Sequence, residues 1–180
     1  MNLHPTILRW LDRRLARVIH SRAPDFIVGS TLSKAYLHRW YLLGAKRNPL
    51  EPAGRLISKT ILGLARPYLH CFLRSDDDRA LHDHPAASIS IAISGTAIEH
   101  TIDAGGIHHR RRIVAGQIRF RSAKFAHRIE MEPGQKFWTL FIFFRNTREW
   151  GFHCPLRGWV HWRKFVAEDD HGAVGRGCDA

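Results

Sequence analysis

The chain has 180 residues, a length that suits one domain of ordinary size with an appended arm. With 44% hydrophobic and 24% charged residues its composition is that of a globular protein, which argues against disorder along most of its length. The outliers are a net charge of +12 and thirteen histidines, and such a basic balance favours acidic or phosphate-rich partners without naming one.

Pro5 to Arg22 is predicted to be a helix. Ile7, Leu8, Leu11, Leu15, Val18 and Ile19 recur at three- and four-residue spacing, and Pro5 suits a first turn. Arg9, Arg13, Arg14 and Arg17 lie off that stripe. Such a helix could lie on a membrane or on nucleic acid, or pack its stripe on the domain and leave its arginines in water. Leu32 to Leu43 reads as a strand or a short helix, and Arg47 to Gly54, with two prolines and a glycine, as a loop.

From Pro67 the texture becomes that of short strands. Tyr68–Leu73 is an apolar run, Ser75–Asp78 a turn, and Ala80–His84 a further strand. Ser88–Ser94 alternates with its isoleucines on one face and is ended by Gly95. Ala97–Ile102 and Ile107–Val114 flank a hairpin-type turn at Asp103–Gly106, and Gln117–Arg121, Ala126–Met131, Lys136–Arg145 and Gly158–Phe165 complete the series. The expected division is a basic helical arm over 1–54, a β-barrel over 55–166 and a flexible tail over 167–180. No apolar run approaches the ~18 residues of a membrane span. Cys71, Cys154 and Cys178 are odd in number and widely spaced, so no disulfide framework or zinc ribbon is expected and a reducing, cytoplasmic setting is the default.

The most informative segment is Leu81-His82-Asp83-His84-Pro85. On a strand His82 and His84 project together and Asp83 projects away. Two imidazoles on one strand face, with a third from a later strand, can grip one face of a divalent metal, and His127 is the natural third ligand.

The spacing resembles the two cupin motifs, G(x)5HxH(x)3–4E(x)6G and G(x)5PxG(x)2H(x)3N. Three residues separate His84 from Ser88 and six separate Ser88 from Gly95; from Gly116 the second motif runs through Ser122 and Lys124 to His127. The resemblance covers about residues 67–165 and implies an all-β double-stranded β-helix, a jelly-roll barrel with a metal in its mouth. On it, His82, His84 and His127 occupy the histidine ligand positions. The departures are Asp76 for the opening glycine, Ser88 for the glutamate ligand, Ser122 and Lys124 for proline and glycine, and Met131 for the asparagine. A three-histidine site without the glutamate looks like that of the thiol dioxygenases, whose iron is held by histidines alone. The stretches around Arg74–Pro85 and Arg148–Pro155 are also similar to small cupin-like proteins of bacteria and phages.

These resemblances imply a divalent metal, with Fe(II) favoured and Zn, Ni or Mn compatible, and a dioxygenase-type reaction on a small anion. An M²⁺ without a carboxylate ligand keeps its full charge and suits anionic ligands. Ser88, Arg119, Arg121 and Asp78 are the candidate substrate contacts: Ser88 by position, the arginines as a clamp two apart on one strand, Asp78 as the nearest of the acidic turn. Alternatives stay open: solvated arginines and a solvated turn, a binding module without catalysis, a homodimer, or a basic protein docking on nucleic acid or an acidic protein through the helix arginines and the His108–Arg112 run. Trp150, Trp159 and Trp162 are expected to cover one end of the barrel, and a His153–Cys154 nucleophile is disfavoured because neighbours on a strand face opposite ways.

Overall fold

In the computed structural model the described residues are 1–29, 35–42, 65–76, 80–167 and 174–178. Helix α1 (Pro5–Ser21) precedes twelve strands among them: β1 (Phe26–Val28), β2 (Leu37–Tyr41), β3 (Ala65–Phe72), β4 (Leu81–His82), β5 (Ser88–Ser94), β6 (Thr96–Ile102), β7 (His108–Val114), β8 (Ile118–Arg121), β9 (Arg128–Glu130), β10 (Phe137–Phe144), β11 (Gly151–Cys154) and β12 (Gly158–His161). A short helix, α2 (Trp162–Phe165), follows β12. The expected strand at Gly158–Phe165 therefore ends at His161, whose ring accepts from the Arg163 N–H and caps the turn.

One wall of the barrel is a six-stranded antiparallel sheet in the order β1-β2-β3-β10-β5-β8. The other is made of two three-stranded sheets, β12-β11-β4 and β7-β6-β9. They meet where His82 and His127 exchange both backbone hydrogen bonds, at 2.9 and 3.0 Å. The architecture is all-β, a jelly-roll-type barrel with an N-terminal helix.

The helix docks as its stripe dictates. Leu8, Leu11, Leu15, Val18 and Ile19 pack on the outer face of the six-stranded sheet, over Trp40, Leu69, Cys71, Ile93 and Trp138. Strand β5 is thus covered on both faces. Its isoleucines meet the helix side, while Ser88, Ser90 and Ala92 face the barrel interior and are the more deeply buried set. Gly95 makes the β5–β6 turn at φ +82°, and a Cβ there would sit 2.1 Å from the Lys136 carbonyl oxygen, so only glycine fits.

Three expectations are corrected here. Within the expected arm, strands β1 and β2 belong to the barrel wall, where Trp40 and Leu37 bury apolar surface against the sheet. Cys154 and Cys178 form a disulfide, which the wide sequence spacing concealed. Of the predicted tail, the described residues 174–178 are tied back by that bond, by the Val166–Val174 bridge and by the hydrogen bond from Gly175 N–H to the Phe165 carbonyl. The predicted 47–54 loop lies outside the described residues. No helix among the described residues is long and apolar enough to cross a membrane.

Candidate metal centre

The seam between the two small sheets carries the site. His82 and His127 are cross-strand partners, so their side chains share one face, and His84 follows on that face two residues along. One nitrogen from each of the three rings lies within 4.8 Å of the others. His84 Nε2 and His127 Nε2 are 3.0 Å apart. Two nitrogens each ~2.1 Å from a common ion at an angle between ~90° and ~109° would be about 3.0–3.4 Å apart, so this pair is already spaced for a shared ion.

The electrostatics favour the ligating form. Burial, aided by the charges of His82 and His127, holds the His84 pKa well below 6.5. Burial also takes His127 down to about 4, against the opposing pull of Glu99. Both rings are neutral at pH 7, with lone pairs free for a metal.

Glu99 on β6 sets the orientation of His127. Its Oε1 lies 3.0 Å from His127 Nδ1 and accepts from Arg121 Nε at 2.8 Å and Nη2 at 2.6 Å; its Oε2 accepts from Arg119 Nη1 at 2.8 Å. Burial alone would raise the Glu99 pKa, but the His127 hydrogen bond and the Arg121 charge outweigh it and bring the carboxyl to about 2. As an ionised acceptor it draws the His127 proton to Nδ1 and leaves Nε2 bare toward the other imidazoles. Beside His82, Asp76 Oδ2 stands 3.6 Å from Nδ1 and accepts from the Ile129 N–H at 2.7 Å, while Tyr36 donates to Oδ1. Asp83 points the other way, as its strand position requires. Fully buried, it accepts from Arg148, the Gly151 N–H and Trp159 at 2.7, 2.9 and 3.1 Å, fastening the ligand strand to β11 and β12.

The histidines open on a cavity of about 800 Å³ lined largely by aromatic rings, among them Tyr68, Phe141, Phe143, Trp150 and Phe152. Trp150 and Trp162 stack at 5.8 Å on its rim, while Trp159 spends its N–H on Asp83.

The other candidate contacts fare differently. Arg119 and Arg121 turn inward onto Glu99 and do not line the cavity, because a carboxylate buried in the barrel needs them more than solvent does. They brace Glu99, which in turn holds His127. Ser88 is fully buried, its hydroxyl has no hydrogen-bond partner among the described residues, and it too lies off the cavity lining. Asp78 lies outside the described residues; Asp76, the described acid of that turn, reaches the site. Cys154 is in a disulfide, which removes it as a nucleophile. The helix arginines Arg9, Arg13, Arg14 and Arg17 are exposed, as are Arg110, Arg111 and Arg112 on β7.

Sequence reading missed Glu99 and the cavity arginines Arg39 and Arg66, and within the acidic turn it favoured Asp78 over Asp76. Glu99 had one available signal, a lone carboxylate inside the apolar strand Thr96–Ile102.

No family model matches the chain, and no curated protein does. Among solved structures it is similar to a cupin superfamily protein of Desulfitobacterium hafniense, at 13% identity over 61% of this chain and 78% of that one, with a TM-score of 0.40. It is also similar to the oxalate decarboxylase of Bacillus subtilis, at 16% identity over 82% of this chain and 32% of that one, TM-score 0.47. A third is the DMSP lyase DddQ of Ruegeria pomeroyi, at 17% identity over 61% of this chain and 47% of that one, TM-score 0.41. The chain thus spans about a third of the oxalate decarboxylase's length.

Proposed function

We propose that the chain binds one divalent metal ion through His82, His84 and His127 and acts there on a small organic anion, as an iron(II)-dependent enzyme of the dioxygenase type. The observation that carries this is the convergence of three imidazole nitrogens within 4.8 Å at the edge of a cavity large enough for a substrate. Imidazole donors suit Fe, Zn, Ni and Cu, and three of them leave coordination positions open. When bound, the ion would supply a Lewis-acidic centre, redox-active in the case of iron. The chain's own residues do the rest. Glu99 fixes the His127 tautomer, Asp83 anchors the segment that carries His82 and His84, and the aromatic lining keeps bulk water from the site. With no carboxylate among the three ligands, the ion's charge is left uncompensated, and an anionic substrate supplies the balance.

Elemental analysis of protein purified after growth with iron, zinc, nickel and manganese tests the metal site. Wild type is expected to carry about one ion per chain, and His82→Ala and His127→Ala little. Equal metal content in wild type and variants would remove the site. Oxygen uptake by the iron-loaded protein with a panel of organic anions tests the catalytic part. Uptake that no anion stimulates would sink the dioxygenase reading and leave metal binding standing.

A further inference from the structure

The cavity wall beside the histidines is one face of β2, β3 and β10. Residues two apart on β3, Arg66, Tyr68, His70 and Phe72, line it together with Phe141 and Phe143 of β10. Into this aromatic wall β2 places Arg39. Its guanidinium carbon is 5.1 Å from the Tyr68 ring centroid and 5.8 Å from that of Phe26, and its Nε donates to His70 Nε2 at 2.8 Å. Among the described residues no carboxylate lies within ion-pair distance of Arg39. Arg66 is in the same position: it donates to the side-chain oxygen of Asn146 and to the Phe144 carbonyl, and lies 5.4 Å from the Phe143 centroid. Asp76, the one acid on the described lining, is taken up by Tyr36 and the Ile129 N–H.

A guanidinium drawn into an aromatic cavity loses hydration that ring faces and a neutral imidazole only partly replace. His70 adds a second unmet donor. It is 3% exposed, and because its Nε2 accepts from Arg39 its proton sits on Nδ1, which has no partner among the described residues. Two cations with no counter-ion among the described residues, and an N–H with no partner among them, call on this wall of rings for an anion carried on a flat apolar body.

We infer that the cavity takes an aromatic carboxylate, held by Arg39 through its carboxylate and by the rings of Tyr68, Phe141 and Phe143 through its face. The carboxylate supplies the missing counter-ion in a charge-assisted pair, and the ring replaces water against the aromatic wall. A cavity of about 800 Å³ accommodates a two-ring body. The inference deepens the substrate class proposed above and relies on the metal only for where reaction occurs.

The test is titration calorimetry on metal-free protein with 2-naphthoate, its neutral isostere 2-naphthamide, and hexanoate. Saturable binding of 2-naphthoate is expected, with the amide and the aliphatic acid each at least about tenfold weaker. Arg39→Gln should weaken 2-naphthoate by about ten- to a hundredfold and leave 2-naphthamide unchanged. No saturable naphthoate binding, or equal affinity for acid and amide, overturns the inference, and neither result needs a variant that folds. Equal affinity for hexanoate overturns the aromatic half, and an Arg39→Gln protein with wild-type naphthoate affinity overturns the assignment of Arg39. Metal content is measured separately, so failure here is distinguishable from failure of the metal site.

Discussion

Replacing Glu99 by glutamine removes one charge from the centre of the barrel while keeping volume, so the loss is electrostatic and not one of packing. The carboxylate is 2% exposed and faces the Arg121 side chain, 4% exposed, with Arg119 and His127 completing its shell. Its pKa falls from 4.5 to about 2, and that difference corresponds to about 3 kcal/mol of stability at neutral pH. Stranding a buried guanidinium costs about 3–5 kcal/mol by comparison with other broken buried pairs. The variant should therefore lose about 3–5 kcal/mol in urea denaturation of the metal-free protein at pH 7, a large part of the ~5–15 kcal/mol typical of a domain. Because the carboxyl's folded pKa is depressed, its contribution is complete above pH 4.5 and is lost as pH falls through about 2, so the gap between wild type and variant should close on acidification. Metal affinity should also fall by about ten- to a hundredfold, since His127 Nδ1 no longer meets a carboxylate. Adding Arg121→Met should restore most of the stability, because an apolar pair replaces a broken ionic one, but not the metal affinity. A loss under about 1 kcal/mol with unchanged metal affinity would refute the account of Glu99 as brace and counter-ion.

Leu15→Ala should cost about 2–4 kcal/mol in the same assay, because Leu15 is the buried centre of the helix stripe; a near-zero effect would mean the helix is not docked. Ser88→Ala should leave stability unchanged or raise it by up to about 1 kcal/mol, since an unpaired buried hydroxyl is removed, whereas Ser88→Glu should destabilise by more than about 3 kcal/mol; a glutamate tolerated there would show that the position opens on the site. Burial pushes the Cys71 thiol up to about 12, so a thiol reagent should find no reactive cysteine in the native protein and one on denaturation without reductant, Cys154 and Cys178 being paired. Burial first, then the Arg39 charge, holds His70 well below 6.5, so the unfolded chain takes up a proton there that the folded chain does not. Stability should decline as pH falls below 6.5, and His70→Gln should flatten that decline; a thermal midpoint with the same acid slope in both proteins would contradict it.

What could be read from the chain was what local pattern encodes. The helix stripe through Leu8, Leu11 and Leu15 specifies a docked helix whatever it docks on. The strand runs from Tyr68 onward, the turn at Gly95 and the two-residue spacing of His82 and His84 specify strands and a shared face, because side-chain direction follows from backbone period alone. His127 joined that set as a histidine on a later strand, a choice that the register of the cupin motifs supported. Other features depended on which strands became neighbours. Nothing in Ser88–Ser94 says that its serines point into the barrel and its isoleucines under the helix, because both faces are covered and the choice is made by the packing partner. Arg119 and Arg121 look like a clamp in one dimension; only the β5–β8 pairing and the neighbouring β6 bring them onto Glu99, some twenty residues upstream. The same holds for Arg39 beside His70, and for Cys154 beside Cys178. Each is a long-range contact whose energy lies in pairing or desolvating groups distant in sequence, and so it exists only once the sheets have closed.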